Sequence, residues 1–375
     1  RPLRGRFASN GDRWTLPPGS LAPAEREREA LVELVRALGA ALSPGDDAEV
    51  QLLERRALGL GLDLALFGAS QAASGRADLE YDEPRRPEAL VQWAEQRAGH
   101  LFLHASPIDV AAIFQDRLYD RIGPVVFTSA TLAVAGSLDY FARRVGLKDA
   151  DGPLFPLDEA IHASPFDYAA NAAIYLPRRM PDPQDDRFAD AVAEELRRLL
   201  PITGGRAFAL FTSLKNMHRV YEILAPELPW QVLLQGERPK TQLLNAFREK
   251  PSVLFASQSF WEGVDVQGDA LSLVVIDKLP FASPSEPLVQ ARIEQLRARG
   301  EDPFPAFQVP EAALALKQGF GRLIRSAQDR GIVALLDPRI AARGYGRRFL
   351  QSLPPCRTVR DPDEARAFWS GLQER

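Results

Sequence analysis

The feature that most constrains this sequence is a regular alternation of apolar runs and amphipathic stretches between residues 172 and 336. Six apolar runs have the length and composition of buried strands: Ala172–Leu176, Ala207–Phe211, Gln231–Leu234, Ser252–Ala256, Leu271–Ile276 and Ile332–Leu336. Helical periodicity falls between most of them: Phe188–Leu200, Leu214–Leu224, Lys240–Lys250 and Leu288–Arg299. Strands that alternate with helices favour parallel pairing. The sequence therefore predicts an α/β fold with one doubly wound parallel sheet of about 200 residues.

The residues before this region follow a different pattern. Residues 1–18 show neither strand nor helix periodicity. From Pro23, apolar residues recur three and four positions apart on both sides of Ser43-Pro44-Gly45, which predicts a helical pair. After a proline-containing break at 84–87, the predicted elements are the strands Leu90–Trp93, Leu101–Leu103 and Val125–Phe127 and the helix Val110–Tyr119.

Composition sets limits on function. The formal net charge of −4 gives no overall attraction to nucleic acid, so such binding must come from a local groove. Cys356 is the only cysteine, which excludes an internal disulfide and a four-cysteine metal or iron–sulfur site in this chain. The histidines do not cluster at ligand spacing, so we expect no metal site. No apolar run approaches the ~18 residues of a membrane span, so we expect a cytoplasmic protein without a membrane partner.

The most informative segment is Gln318-Gly319-Phe320-Gly321-Arg322-Leu323-Ile324-Arg325, near the end of a helical stretch from Pro310. Gln318, Arg322 and Arg325 are spaced i, i+4 and i+7, so a continuous helix would place them on one face. Two guanidinium groups beside an amide suit a phosphoryl-transfer site, where they stabilise charge on a phosphate. An ordinary amphipathic helix with an exposed basic face has the same spacing.

Two further segments carry polar groups where strands end. Residues 259–268 follow the predicted strand Ser252–Ala256 and hold Glu262 and Asp265 around Gly263, which suits hydrogen bonding to a ribose or a catalytic group. A simple Asp/Gly turn explains the same residues. Thr128–Leu132 places small hydroxyl side chains after Val125–Phe127, at the end where α/β sheets bind ligands.

Together these segments resemble the XPD/Rad3-like branch of superfamily 2 helicases, specifically the bacterial DinG/YoaA type. The matching segments are Thr128–Leu132 with motif III, Phe211–Ser213 with motif IV, Phe260–Asp265 with motif V, Gln318–Arg325 with motif VI, and Asp277–Phe281 with a Lys-Leu-Pro-Phe loop. The resemblance implies that the predicted sheet is a RecA-like second helicase domain. It also implies that the parent protein is an ATP-dependent DNA helicase that moves on single-stranded DNA, with a role in DNA repair or replication.

The resemblance implies a role for each matched residue. Arg322 and Arg325 would be arginine fingers, and Gln318 would contact the γ-phosphate. The implied nucleotide-sensing residues are Glu262, Gly263 and Asp265, and the residues implied to couple nucleotide state to DNA are Ser129 and Thr131. The residues implied to bind the single-strand backbone are Thr212, Ser213, Gln235 and Lys278.

The sequence also departs from the family pattern. A motor of this type needs a Gly-rich phosphate loop ending in Lys-Ser/Thr, and the sequence has no Gly-Lys dipeptide. It also lacks a magnesium-binding acidic box before motif III. We therefore expect this chain to be the C-terminal portion of a helicase and to hydrolyse no ATP alone. The resemblance implies that the parent protein uses ATP and Mg²⁺ and can carry an iron–sulfur cluster in its N-terminal part. The expected regions are a helical region from a partial arch domain at 1–84, the end of a first RecA-like domain at 85–145, and the second RecA-like domain at 146–375.

Two alternatives of other classes remain open. Some YoaA-like helicases attach to the clamp-loader chi subunit through their C-terminal domain, and Phe368 and Trp369 are candidate hydrophobic anchors for such docking. The same two side chains could instead pack the last helix onto the sheet. The other alternative is a passive single-strand binder without motor activity.

Overall fold

The computed structural model describes residues 13–17, 19–42, 47–67, 90–97, 99–257, 260, 266 and 268–374. These residues divide into two compact units. The first comprises the described parts of 1–125, 144–147 and 283–301, and the second those of 126–143, 148–282 and 302–375. Within the described ranges, every helix is too short or too polar to cross a membrane.

The strands of the described residues are β1 (Arg13–Thr15), β2 (Leu90–Arg97), β3 (His100–Pro107), β4 (Ala172–Tyr175), β5 (Ala207–Phe211), β6 (Gln231–Leu234), β7 (Ser252–Ser257), β8 (Leu273–Ile276), β9 (Gly331–Leu335) and β10 (Arg357–Val359). The α-helices are α1 (Glu25–Leu42), α2 (Ala48–Ala65), α3 (Ala111–Phe114), α4 (Asp139–Arg144), α5 (Tyr168–Asn171), α6 (Phe188–Leu199), α7 (Leu214–Leu224), α8 (Lys240–Glu249), α9 (Pro287–Ala298), α10 (Val309–Phe320), α11 (Arg339–Ala342), α12 (Gly346–Ser352) and α13 (Pro362–Gln373). Two π-helical turns also occur, Gln115–Tyr119 and Phe304–Gln308.

The second unit is built on a parallel sheet with strand order β10-β4-β9-β8-β5-β7-β6. Alternate side chains of each strand point to opposite faces. Phe208 and Leu210 of β5 enter a core with α8, α10 and α12, whereas Ala209 and Phe211 enter a core with α6, α7 and α13. Helices therefore cover both faces, and the predicted doubly wound parallel sheet is confirmed.

The parallel strands all begin along one border of this sheet, here called the amino edge, and all end along the opposite border, the carboxyl edge. Segments that follow strands lie at the carboxyl edge, and segments that precede strands lie at the amino edge. Because all seven strands run parallel, each edge collects the connecting segments of neighbouring strands. This arrangement places residues that are distant in sequence side by side.

The first unit combines the helical pair α1 and α2 with an antiparallel sheet in the order β1-β2-β3. Val32 and Val35 of α1 are buried, as is Ala57 of α2. On the central strand, Val91 and Trp93 pack with Ala291 of α9. The predicted helical pair, the two predicted strands β2 and β3, and the helical segment after residue 110 are all present.

Two predictions for the residues before the main sheet are wrong. The sequence pattern indicates no strand in residues 1–18, but Arg13–Thr15 pairs with β2. The same kind of pattern predicts a buried strand at Val125–Phe127, but this run has no strand pairing and Val126 is 85% exposed. An apolar run becomes a strand only where another strand supplies hydrogen bonds, and composition alone does not show whether that partner is present.

The last helix, α13, bears on the docking hypothesis. Asp361 caps its N-terminus by accepting from Glu364 N at 3.0 Å. Phe368 and Trp369 are only 8% and 9% exposed, and both pack in the core between α6, α13 and the sheet. The interpretation of these two side chains as exposed anchors is therefore wrong, and they hold the helix on the sheet.

Candidate nucleotide and nucleic-acid sites

The motif VI segment contains the end of a helix and a turn. α10 ends at Phe320, and three backbone hydrogen bonds close the turn that follows, including Gly321 N to Lys317 O at 2.9 Å and Leu323 N to Phe320 O at 3.1 Å. Gly321 itself has φ −65°, so the chain leaves the helix without a left-handed residue at this position. Arg322 and Arg325 therefore follow the helix, and the predicted single helical face with Gln318 is wrong.

A buried carboxylate that was not predicted from the sequence fixes this turn. Asp329 is 3% exposed. Its Oδ2 accepts from Arg325 N at 2.7 Å and Ser326 N at 2.8 Å, and its Oδ1 accepts from Ser326 Oγ at 2.9 Å and Gly268 N at 3.0 Å. Four donors satisfy both oxygens. Asp329 thereby joins the arginine-bearing turn to Gly268, three residues after motif V.

A cavity of about 350 Å³ lies beside the turn. Its lining residues are Ala130, Thr131, Tyr168, Lys317, Gln318, Phe320, Gly321, Arg322 and Pro354. The structure thus brings predicted residues from motif III and motif VI to one site. Lys317 was not predicted, and its burial lowers the pKa of its ammonium group. Ser129 is outside the lining, where its hydroxyl accepts from Thr131 N at 3.2 Å.

This cavity lies at the amino edge of the sheet. Tyr168 precedes β4, Arg322 precedes β9 and Pro354 precedes β10. Ligands of open parallel sheets usually bind at the carboxyl edge. The cationic and amide donors here are nonetheless suited to an anion such as a phosphate, since they can supply charge-assisted hydrogen bonds.

The four predicted single-strand contacts lie at the opposite, carboxyl edge. Thr212 and Ser213 follow β5, Gln235 follows β6, and Lys278 comes shortly after β8. Their order along the edge follows the strand order β8-β5-β7-β6. The sheet therefore places all four in one row.

A second buried carboxylate, Asp277, supports that row. It is 1% exposed, and its Oδ1 accepts from Thr212 N at 2.9 Å and from Lys278 N at 2.7 Å. Among the described residues, its Oδ2 has no hydrogen-bond partner. Burial raises the pKa of the Asp277 carboxyl to about 6, because desolvation disfavours its charged form.

Three of the four predicted contacts also have intramolecular roles. Ser213 caps α7 by accepting from Asn216 N at 3.4 Å. Gln235 accepts from Ser257 N at 2.7 Å, which joins the ends of β6 and β7. Lys278 Nζ donates to the Pro183 carbonyl at 2.6 Å and lies 4.8 Å from the centroid of the Phe188 ring.

A third buried carboxylate, Asp337, holds the Lys-Leu-Pro-Phe loop at 278–281. Its Oδ2 accepts from Leu279 N at 2.8 Å, and its two oxygens accept from the Arg339 guanidinium at 2.6 to 3.1 Å. Arg339 in turn lies 5.6 Å from the centroid of the Phe281 ring. The loop is therefore fixed from β9 by an ion pair and an aromatic contact.

The predicted nucleotide-sensing residues Glu262, Gly263 and Asp265 lie outside the described residues. The described residues on either side, Phe260 and Val266, are each 3% exposed and pack in the core with α10. Phe260 and Val266 are thus each fixed in the core.

Comparison with known proteins gives a consistent result. The model of the helicase C-terminal domain family matches residues 196–356. The chain is 41% identical to the ATP-dependent DNA helicase YoaA of Escherichia coli over 82% of this chain and 48% of the relative. It is 36% identical to the ATP-dependent DNA helicase DinG of Photobacterium profundum over 72% of this chain and 40% of the relative. The solved structure of S. tokodaii Xpd4 matches with a TM-score of 0.53 and 15% identity over 94% of this chain and 62% of that structure.

The chain has the RecA-like α/β fold of the XPD structures, and part of it matches the helicase C-terminal domain family. The relatives found by sequence identify the type of helicase. The chain belongs to the DinG/YoaA type of helicase, as its motifs predicted. It spans less than half the length of these curated relatives, at 48% and 40%.

Proposed function

We propose that this chain is the C-terminal part of an ATP-dependent motor that moves on single-stranded DNA and unwinds duplex DNA in repair or replication. The observation that supports the proposal most directly is the cavity that joins Thr131 of motif III to Gln318 and Arg322 of motif VI. The names of the relatives, which are ATP-dependent DNA helicases, agree with it.

The cavity suits the phosphates of a nucleotide and does not suit Mg²⁺. Its charged lining residues, Lys317 and Arg322, are cations, whereas Mg²⁺ prefers carboxylate and other oxygen ligands. In the proposed motor this chain therefore supplies positive charge to the γ-phosphate, and the magnesium-binding residues and phosphate loop belong to another domain. Because Cys356 is the only cysteine, the ligands of any iron–sulfur cluster also lie in another part of the motor.

The proposed roles follow from what each group can do. Arg322 and Arg325 stabilise the charge that develops on the transferred phosphoryl group, and Gln318 orients the phosphate or the attacking water. Asp329 acts as a positioning residue, because it fixes the backbone of Arg325 and accepts from Gly268, which follows motif V. Glu262, Gly263 and Asp265 keep the nucleotide-sensing role that the resemblance implies.

The proposed DNA track is the row at the carboxyl edge. Thr212 and Ser213 present polar groups after β5, Gln235 does so after β6, and Lys278 adds a cation after β8. These groups can contact the sugar-phosphate backbone without reading sequence. Such a track fits a motor that must step along any single strand.

The first test uses the purified 375-residue chain. We expect it to bind labelled single-stranded DNA and to show no DNA-stimulated ATP hydrolysis. Hydrolysis by the chain alone would contradict the proposed division of labour, and failure to bind single-stranded DNA would contradict the proposed track.

The second test addresses the arginine-bearing turn. In a longer protein that joins this chain to a phosphate-loop domain, we expect Arg322→Ala to lower kcat for DNA-stimulated ATP hydrolysis by about 10³-fold or more, as for loss of an arginine finger. The exposed Arg366 of α13 offers a matched control. Equal losses for Arg322→Ala and Arg366→Ala would contradict a specific role for Arg322. An unchanged kcat for Arg322→Ala would also reject the assignment of Arg322 as an arginine finger.

A further inference from the structure

A strongly basic segment occupies residues 338–360 of this otherwise acidic chain. The segment contains six arginines and neither aspartate nor glutamate, within a chain of formal net charge −4. The arginines are Arg339, Arg343, Arg347, Arg348, Arg357 and Arg360. A concentration of one sign of charge creates a local field that the net charge conceals.

The loop between α11 and α12 is fixed by buried residues on both sides and by close backbone packing. Ile340 and Phe349 are 3% and 0% exposed, and both belong to the core beneath the loop. Gly346 N donates to Arg343 O at 2.9 Å. A Cβ atom at Gly346 would lie 2.0 Å from the Ile340 carbonyl oxygen, so this close approach requires glycine. The loop backbone therefore has a fixed course.

Two arginines of this segment are available to an external ligand. Arg339 pairs with Asp337, and Arg348 donates to the Pro305 carbonyl at 3.2 Å. Arg343 and Arg347 are exposed, and no carboxylate among the described residues forms an ion pair with either of them. Their charges are thus presented to solvent from a fixed backbone.

The basic loop adjoins the proposed DNA track. Tyr345, between the two exposed arginines, packs against the Phe281 ring with centroids 6.0 Å apart and planes at 88°. Phe281 ends the loop that begins at Lys278, and Asp337 holds Leu279 of the same loop. Contacts therefore run without a break from Thr212 and Asp277 through the Lys278 loop to Tyr345.

We infer that Arg343 and Arg347 form a further phosphate-binding surface that extends the track for single-stranded DNA beyond Lys278. This inference rests on the proposed function. An exposed loop does not enclose a small anion, which normally binds in a concave site with convergent donors. It does suit an extended polyanion, because each guanidinium can contact a phosphate and release condensed counterions. Contacts of this kind carry affinity without sequence preference.

The test is the salt dependence of binding to a labelled oligothymidylate, measured by fluorescence anisotropy with the full chain. Each single-strand phosphate contact contributes ~0.7 to the slope of log K against log salt. We therefore expect the double variant Arg343→Gln/Arg347→Gln to lower that slope by roughly 1.4, for two contacts. When salt is raised fourfold, the fall in affinity of the original chain should be about seven times as large as the fall in affinity of the double variant.

The outcomes separate this inference from the proposed function. Arg366→Gln on α13 is the matched control, and circular dichroism establishes that each variant is folded. An unchanged slope in the double variant, with normal binding by the original chain, overturns the inference alone. Failure of the original chain to bind overturns both. The same measurement is made with a duplex of the same length. If the double variant binds the duplex more weakly but binds the single strand normally, a contact with single-stranded DNA is rejected.

Discussion

Replacing Asp277 by asparagine should make the stability of this chain less sensitive to pH. Asp277 is a carboxyl group buried under the proposed DNA track, and burial raises its pKa from 3.8 to about 6. A raised pKa means that the folded state binds the proton more tightly than the unfolded state does. The stabilising effect of protonated Asp277 is therefore full below about 3.8 and is lost as pH rises through about 6.

The size of the effect follows from that shift. About two pKa units at ~1.4 kcal/mol each give a penalty of ~3 kcal/mol for ionised Asp277 at neutral pH. The amide introduced by Asp277→Asn would carry no charge, and its oxygen could still accept from Thr212 N and Lys278 N. Its NH₂ group would replace an oxygen without a hydrogen-bond partner among the described residues, at a pH-independent cost of ~1–3 kcal/mol.

The assay is urea denaturation at a series of pH values on both sides of the pKa of Asp277. We expect the free energy of unfolding of Asp277→Asn, relative to the original chain, to rise by ~3 kcal/mol from acid to neutral pH. The cost of the unpaired NH₂ cancels from this difference, because it does not depend on pH. A relative stability that stays constant or falls across this range would refute the argument from desolvation.

Three further substitutions test other contacts. Asp329→Asn should lower the free energy of unfolding by ~3 kcal/mol, because its NH₂ group would face the N–H groups of Arg325 and Ser326, which now donate to the carboxylate. A loss under ~1 kcal/mol in urea denaturation would reject the role of Asp329. Gly346→Ala should destabilise by ~1–3 kcal/mol because of the contact with Ile340, and an unchanged Tm would contradict that contact. Trp369→Ala should cost ~3–5 kcal/mol, whereas an exposed anchor would cost little; the midpoint of thermal unfolding distinguishes the two.

Much of the second unit could be predicted from the sequence because its strands are buried on both faces. The predicted bounds of β5, β6 and α7 are those of the structure, and each predicted run ends near a polar or turn-forming residue. β10 was missed because Arg357–Val359 is a short edge strand with two exposed residues. Such a strand needs apolar contacts on fewer sides, so its sequence does not show the continuous apolar run of a central strand.

The site was less predictable because it depends on contacts between distant segments. The i, i+4, i+7 spacing of Gln318, Arg322 and Arg325 continues the helical period past Phe320, and only the turn at Gly321 ends the helix. The buried carboxylates were missed for a related reason. Asp329 accepts from Gly268, 61 positions away, and no local pattern indicates such a donor.

The arrangement of the two sites suggests how nucleotide and DNA binding would be connected in the proposed motor. The phosphate-suited cavity lies at the amino edge of the sheet and the proposed DNA row at the carboxyl edge, so the two have a sheet of buried strands between them. Close-packed strands of this kind resist deformation. The segment after Ser257 begins at the carboxyl edge beside Gln235 and ends at Gly268, where it donates to Asp329 beside the arginine-bearing turn. The residues that flank motif V therefore contact both proposed sites, Ser257 the DNA row and Gly268 the arginine-bearing turn, and we propose that nucleotide and DNA binding are connected through these two contacts.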